Sequence, residues 1–394
     1  MQALDGVVVG AGPAGAVAAR ELARAGARVA LVDGSHPREK PCGGGVTGRA
    51  LSLLGSDLHS PPAEATRLDD GALAPSGRTV ERVTFEAAGR AATVPLPDTD
   101  YLRVFDRASF DAALLGDAVA SGAELIRARV GGIERRAGRW QLRAGTAVLE
   151  TPWVLAADGA GGIIRKRVFR PFDRTQLSIA AGSYIDGVDT ADIVIAFVDR
   201  PSGYLWSFPR PGHLAVGTCA QANETSTAEM HAITDAWLDR YSPAAGRPRR
   251  RYAWPIPSLT VAGVDAERPA GDGWMLLGDA AGLVDPITRE GIFFAIRSGL
   301  LAAEAMRTSD PAATYAARVR DELHDELRRA ARLKASFYRP RFTRLLIDAL
   351  NQSAAIRDVM IDLVAGRQPY RGLKRRLLGT MELGLMLRLL RSSG

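Results

Sequence analysis

The sequence predicts an α/β fold: a Rossmann-like dinucleotide-binding domain carrying an inserted mixed or antiparallel β-sheet domain, followed by a C-terminal helical region. Three observations predict it. Residues 4–9 form a short apolar run that enters a glycine-rich turn, a helix and a second strand; a second strand, turn and helix recur around residue 279; and from Pro311 onward the pattern is helical and Arg-rich, interrupted at Pro340 and Pro369. At 394 residues and 46% hydrophobic, the chain can bury a large core, and its length favours two or three lobes over one.

The first element is a βαβ unit built around Gly10-Ala11-Gly12-Pro13-Ala14-Gly15. Gly10 permits the tight turn, Gly12 lets backbone N–H groups approach a pyrophosphate, and Gly15 allows close packing of helix on strand. The helix N-terminus, opening at Pro13 and Ala14, then faces the phosphates. Asp33 ends the second strand about 20 residues after the glycines, where a carboxylate accepts hydrogen bonds from ribose hydroxyls.

The downstream unit decides which dinucleotide. A strand at residues 274–277 runs into Gly278-Asp279-Ala280-Ala281-Gly282, then Pro286-Ile287-Thr288-Arg289-Glu290-Gly291-Ile292, and a helix follows to about Met306. A carboxylate at a strand end suits a ribityl hydroxyl, and free N–H groups at Gly291 and Ile292 suit the C2 carbonyl and N1 of a flavin, favouring its anionic reduced form. This points to FAD. Gly278, Asp279, Pro286, Gly291 and Ile292 join the cofactor contacts, as does Val130 in the segment that returns to this domain. No second glycine fingerprint sits in a βαβ setting, so electrons are expected from NAD(P)H visiting transiently or from a reduced carrier.

Further segments resemble known families. Residues 153–160 form a strand closing on Asp158-Gly159, similar to the Asp-Gly motif of the para-hydroxybenzoate hydroxylase fold, and Arg107 matches the arginine that family places on FAD. Lys40-Pro41-Cys42-Gly43-Gly44-Gly45-Val46 resembles the loop that members of the geranylgeranyl reductase family lay against the isoalloxazine ring. Tyr204-Leu205-Trp206-Ser207-Phe208-Pro209 is similar to their Tyr-x-Trp-x-Phe-Pro segment. Residues 370–378 match their tail. Strand alternation puts Tyr204, Trp206 and Phe208 on one side, as core packing or as the wall of an apolar substrate slot; Pro209 is counted with them. Arg289 departs from the pattern, standing where these reductases usually have Gly before Glu-Gly-Ile.

The resemblance implies reduction of C=C bonds in a polyprenyl chain, by hydride from N5 of reduced FAD, with Cys42 and Tyr204 as candidates for proton delivery or for shaping the site. Two alternatives stay open. One is a monooxygenase or halogenase-like enzyme acting on an aromatic substrate; the other is a non-enzymatic prenyl-binding escort protein.

Residues 1–60, 100–170 and 271–310 are expected to build the FAD domain, 61–99 and 171–270 the substrate sheet, and 311–394 the helical region. The net charge of +7 is local: residues 366–394 hold seven basic residues and one acid, +6 of the +7. No recognition helix, zinc knuckle or stacking-aromatic pattern accompanies it, so nucleic acid is not expected. The basic tail, with its apolar run to Leu390, could lie on an anionic bilayer surface or dock on the protein. Two separated cysteines, no secretory segment and no run of spanning length lead to the expectation of a cytoplasmic protein, either free or peripheral at the membrane's inner face. No metal is expected.

Overall fold

The computed structural model describes residues 3–55, 77–96 and 102–380. Its first sheet runs in the order Ala270–Gly271, Trp274–Leu276, Val154–Ala156, Gly6–Val9, Val29–Val32, Glu124–Ile126, and all but the first pair of neighbours are parallel. Gly6–Val9, Val29–Val32, Val154–Ala156 and Trp274–Leu276 are buried along their whole length. Unbroken apolar strands of this kind are what a parallel sheet covered on both faces requires.

Register explains how distant motifs meet. Val9 pairs with Ala156, and Ala156 pairs with Leu276. The three strands therefore end side by side, and the turns at Gly10, Asp158 and Gly278 leave the sheet along one edge, where α/β sheets bind ligands. Helix Pro13–Arg24, with Pro at its first turn, packs against helix Ile292–Ala305. A Cβ at Gly299 would lie 2.6 Å from the Ala14 carbonyl oxygen, so only glycine lets these helices come so close.

The second sheet has seven strands in the order Arg250–Pro257, Leu177–Asp186, His213–Gln221, Gly203–Arg210, Asp192–Val198, Arg82–Ala87, Arg90–Pro95. All neighbours are antiparallel except Asp192–Val198 with Arg82–Ala87. Helix Thr227–Arg240 covers one face, anchored by a buried contact of 2.9 Å between the Thr218 and Thr234 hydroxyls. The Arg82–Pro95 hairpin thus joins the sheet formed by residues 177–257. A three-stranded meander over Val130–Thr151 was not anticipated.

The C-terminal helices divide between the sheets. Tyr315, Val319, Leu323 and Leu327 are buried in the core of the parallel sheet, whereas Leu346, Ile347, Leu350, Ile356 and Met360 pack on the Arg82–Pro95 hairpin. Helix Asp325–Phe337 ends at Tyr338, and helix Pro340–Gln352 starts at Pro340, so the proline expected to interrupt the pattern opens a new helix. Among the described residues no helix is long and apolar enough to cross a membrane. The apolar tail run beyond Thr380 and most of the insertion before Gly77 lie outside the described residues.

Candidate active site

The glycine turn has the shape its spacing predicts. Gly10 sits at φ +101°, where a side chain would run into the Ala157 carbonyl, and a Cβ at Gly15 would overlap the Gly10 carbonyl. Over Gly12 the nearest heavy atom to an added Cβ is His36 Nε2 at 3.7 Å. The Gly12 backbone is therefore open to a close-lying group.

Asp33 is tied into the turn. Its carboxylate accepts the Ala11 N–H at 2.8 Å, the Ser35 N–H at 2.6 Å and the His36 N–H at 2.9 Å, and it contacts His36 Nδ1 at 2.8 Å. Burial opposes its ionisation, but the His36 ring and the Ala11 N–H outweigh it and hold the carboxyl far below its usual range. On the other side of the ring, His36 Nε2 lies 3.4 Å from Asp111. Asp111 in turn binds Arg107 through a fork of 3.0 and 2.8 Å. Arg107 is 2% exposed, so this pairing is what makes its burial tolerable.

Asp158 caps the short helix after it, accepting the Ile164 N–H at 3.0 Å through Oδ2, while Oδ1 has no partner. Burial pushes its carboxyl up to about 6, against the lowering effect of the Ile164 and neighbouring N–H groups. Val130 opens a strand and packs, half-buried, on the parallel-sheet core.

Beside the turns lies one cavity of about 220 Å³. Pro13, Lys40, Cys42 to Gly45, Arg107, Asp279, Gly291 and Ile292 line it together with Tyr204, Trp206, Phe208, Phe197, Phe337 and Leu363. The structure thus brings the cofactor candidates of two distant motifs and the aromatic strand into a single space. Gly10, Gly12, Asp33, Val130, Asp158 and Pro286 are not on its wall, and neither is Pro209, because alternation turns it to the opposite face from Phe208. Gly291 caps helix Ile292–Ala305 without any side-chain acceptor, so the first N–H groups of the helix lack a capping side chain beside the cavity.

The Cys42–Gly45 loop is held from the sheet by a residue the sequence reading did not single out. Arg210, fully buried, donates from Nε to the Gly43 carbonyl at 3.1 Å, from Nη2 to the Cys42 carbonyl and from Nη1 to Glu39. Tyr184 adds a hydrogen bond of 3.2 Å to the Lys40 carbonyl. A Cβ at Gly43 would overlap the Phe208 ring, and the Gly44 N–H points at Cys42 Sγ, 3.3 Å away. The signal for Arg210 was present: an arginine directly after the Tyr204–Pro209 segment, at the last position of the strand Gly203–Arg210.

Tyr204 and Tyr338 grip the segment before Arg289. The Tyr204 hydroxyl donates to the Thr288 carbonyl at 2.8 Å, and Tyr338 donates to the Ile287 carbonyl. Burial drives the Tyr204 phenol well above its usual range, so it stays protonated. Phe337, Tyr338, Met360 and Leu363, from the C-terminal helical region, add to the apolar lining of the cavity. Their contribution was invisible in the sequence because nothing there says which face of those helices meets the second sheet.

The chain is similar to known proteins over nearly its whole length. Residues 4–88 match the pyridine nucleotide-disulphide oxidoreductase family model. The chain is 30% identical to the menaquinone reductase of Mycolicibacterium smegmatis over 390 residues, covering 91% of this chain and 90% of the relative. It is 28% identical to the geranylgeranyl diphosphate reductase of Rhodobacter capsulatus, over 94% of this chain and 95% of that one. A geranylgeranyl bacteriochlorophyll reductase-like protein of Thermoplasma acidophilum shares its fold, with a TM-score of 0.76 at 21% identity over 96% of this chain and all of that one. This similarity over nearly the whole chain establishes that it belongs to the geranylgeranyl reductase family of FAD-dependent oxidoreductases.

Proposed function

We propose that this enzyme saturates C=C bonds of a polyprenyl chain. The observation that carries the proposal is the continuity of the cavity: the glycine loop and helix start expected at the flavin open directly onto an aromatic and aliphatic slot. Relatives named as reductases of menaquinone and of geranylgeranyl diphosphate support it.

In this reading Gly10, Gly12, Pro13, Ala14 and Gly15 cradle the pyrophosphate, Asp33 takes the ribose, and Asp279 takes the ribityl chain. Arg107, Asp158 and Val130 shape the same cleft. Gly278 and Pro286 set the turns that present Asp279, Gly291 and Ile292, and the helix-start N–H groups face the pyrimidine edge of the flavin. When bound, reduced FAD supplies a hydride. NAD(P)H or a reduced carrier restores the electrons.

An unactivated alkene offers no carbonyl to polarise, so the protein's task is to position the chain and exclude water. Trp206, Phe208, Phe197 and Leu363 do this by enclosing an apolar chain. Cys42 is the better candidate for the proton that completes the addition, because it lies on the cavity wall, which Arg107 also lines, whereas the Tyr204 hydroxyl is engaged elsewhere. Tyr204 is committed to the Thr288 carbonyl and serves as wall. Pro209 acts from behind, stiffening the strand.

The test is to reduce the FAD-loaded protein anaerobically and incubate it with polyprenyl compounds, following product mass. Gain of two hydrogens per double bond without oxygen is expected. A product that gains oxygen or halogen instead, only in air, would refute the reading.

A further inference from the structure

Arg289 is out of place in an apolar slot, for three reasons. Its backbone sits at φ +59°, a conformation that glycine adopts freely and a side chain adopts at a cost. Its Nε and Nη1 are shut off from solvent and have no hydrogen-bond partner. And it lines the cavity among Tyr204, Cys219 and Tyr338, its surroundings being aromatic rings and a thiol.

The nearby carboxylates are spoken for. Asp285 accepts the Ile287 N–H at 2.7 Å, the Thr288 N–H at 2.9 Å and the Tyr370 hydroxyl at 3.2 Å. Glu290 holds the Thr47 hydroxyl at 2.6 Å and Arg49. Lys334, the other cation close by, donates to Gln221 at 2.6 Å and Ser258 at 2.8 Å, and it repels Arg289 rather than neutralising it. A guanidinium with idle donors in a water-poor space is costly unless an acceptor arrives with the ligand. The segment bearing it cannot readily swing away, because Tyr204 and Tyr338 hold the carbonyls of Thr288 and Ile287.

We infer that Arg289 is a specificity-determining residue that binds an oxygen acceptor, anionic or carbonyl, carried by the otherwise apolar substrate. The inference rests on the proposed function and narrows it: the natural substrate is a chain with a phosphate, carboxylate or quinone-type oxygen reaching deep into the cavity, and a plain hydrocarbon is a poor ligand. A guanidinium presents paired N–H donors, so either a tetrahedral anion or a ring carbonyl fits it.

The test titrates the FAD-loaded protein with farnesyl phosphate, a farnesyl-substituted benzoquinone and the hydrocarbon farnesene, reading the fluorescence of Trp206 and Trp254 on the cavity wall. At least one oxygen-bearing ligand should bind about tenfold or more tighter than farnesene. Arg289→Gly, which suits the positive φ and so keeps the fold, should erase that difference, and Arg289→Lys should restore part of it. The tighter of the two oxygen ligands identifies the acceptor. Equal binding of all three by the wild type, or a preference that survives in Arg289→Gly, overturns the inference while leaving the apolar-slot reading intact. If none of the three binds, the proposed function itself fails. A variant that keeps the ligand preference but loses FAD affinity would reassign Arg289 to the flavin and also overturn it.

Discussion

Lys40 donates from Nζ to Asp279 Oδ2 at 3.2 Å, joining two residues 239 positions apart. Both side chains are mostly buried, 21% and 15% exposed, and both line the cavity. The pair ties the loop after the second strand to the turn after Trp274–Leu276, linking the two sides of the proposed flavin site. Lys40→Met should leave the fold intact and weaken FAD binding about three- to tenfold, the scale of a single partly buried ion pair of about 1 kcal/mol. Titration of the apoprotein followed by quenching of flavin fluorescence measures this; an unchanged dissociation constant would mean that Lys40 does not set the geometry of Asp279.

Cys42 gives a kinetic prediction. If its thiol delivers the proton, Cys42→Ser should retain stoichiometric FAD and lower kcat by about a hundredfold, the usual contribution of a positioned acid. Bound FAD is read from the visible spectrum and turnover from product mass under anaerobic conditions. Retained FAD with unchanged turnover would move the proton donor elsewhere.

The core of the fold and the first half of the site were legible for physical reasons that operate locally. The spacing of Gly10, Gly12 and Gly15 encodes backbone clearances, and they differ as expected: Gly10 and Gly15 cannot carry a Cβ, while a Cβ at Gly12 would meet only His36 Nε2, in ordinary contact at 3.7 Å. Alternation along Gly203–Arg210 likewise predicted which aromatics share a face, and its own logic excludes Pro209 from that face. What the sequence could not convey depends on long-range pairing. His36 reads as an ordinary loop residue until the fold sets it between Asp33 and Asp111. Arg210 becomes a loop anchor only because the second sheet meets residues 39–43. The division of the C-terminal helices between two sheets depends on helix faces whose partners are hundreds of residues away.

That His36 network predicts a pH dependence. Burial alone would lower the imidazole pKa, but the Asp111 and Asp33 carboxylates on either side of the ring outweigh it and raise it above its usual value. A raised folded-state pKa means that the stabilisation is complete below the unfolded value and is lost as pH rises through the folded one. Asp33 and Asp111 are both held low, so they stay ionised throughout that window. The stability advantage of the wild type over His36→Gln should therefore be larger at about pH 6 than at about pH 9. Urea unfolding of both proteins at the two pH values checks it; an advantage that grows with pH would show that His36 is held neutral instead.

Arg210 and Glu39 separate charge from geometry at the loop. Burial pushes the Glu39 carboxyl upward even with Arg210 beside it, so the arginine is what keeps an ionised carboxylate affordable there. Arg210→Met leaves Glu39 facing an apolar side chain and strips the Cys42 and Gly43 carbonyls of their donor, and unfolding free energy should fall by about 3–5 kcal/mol. Arg210→Lys keeps the charge but cannot reach Gly43, Cys42 and Glu39 together, so it should fall by a smaller amount, about 1–3 kcal/mol. Adding Glu39→Gln to Arg210→Met should recover the part of the loss due to the unpaired carboxylate and none of the part due to the free carbonyls. If the double variant is as stable as the wild type, Arg210 is only a counter-ion; if it stays destabilised and binds FAD weakly, the fork on the Cys42–Gly43 backbone is what holds the loop against the cavity.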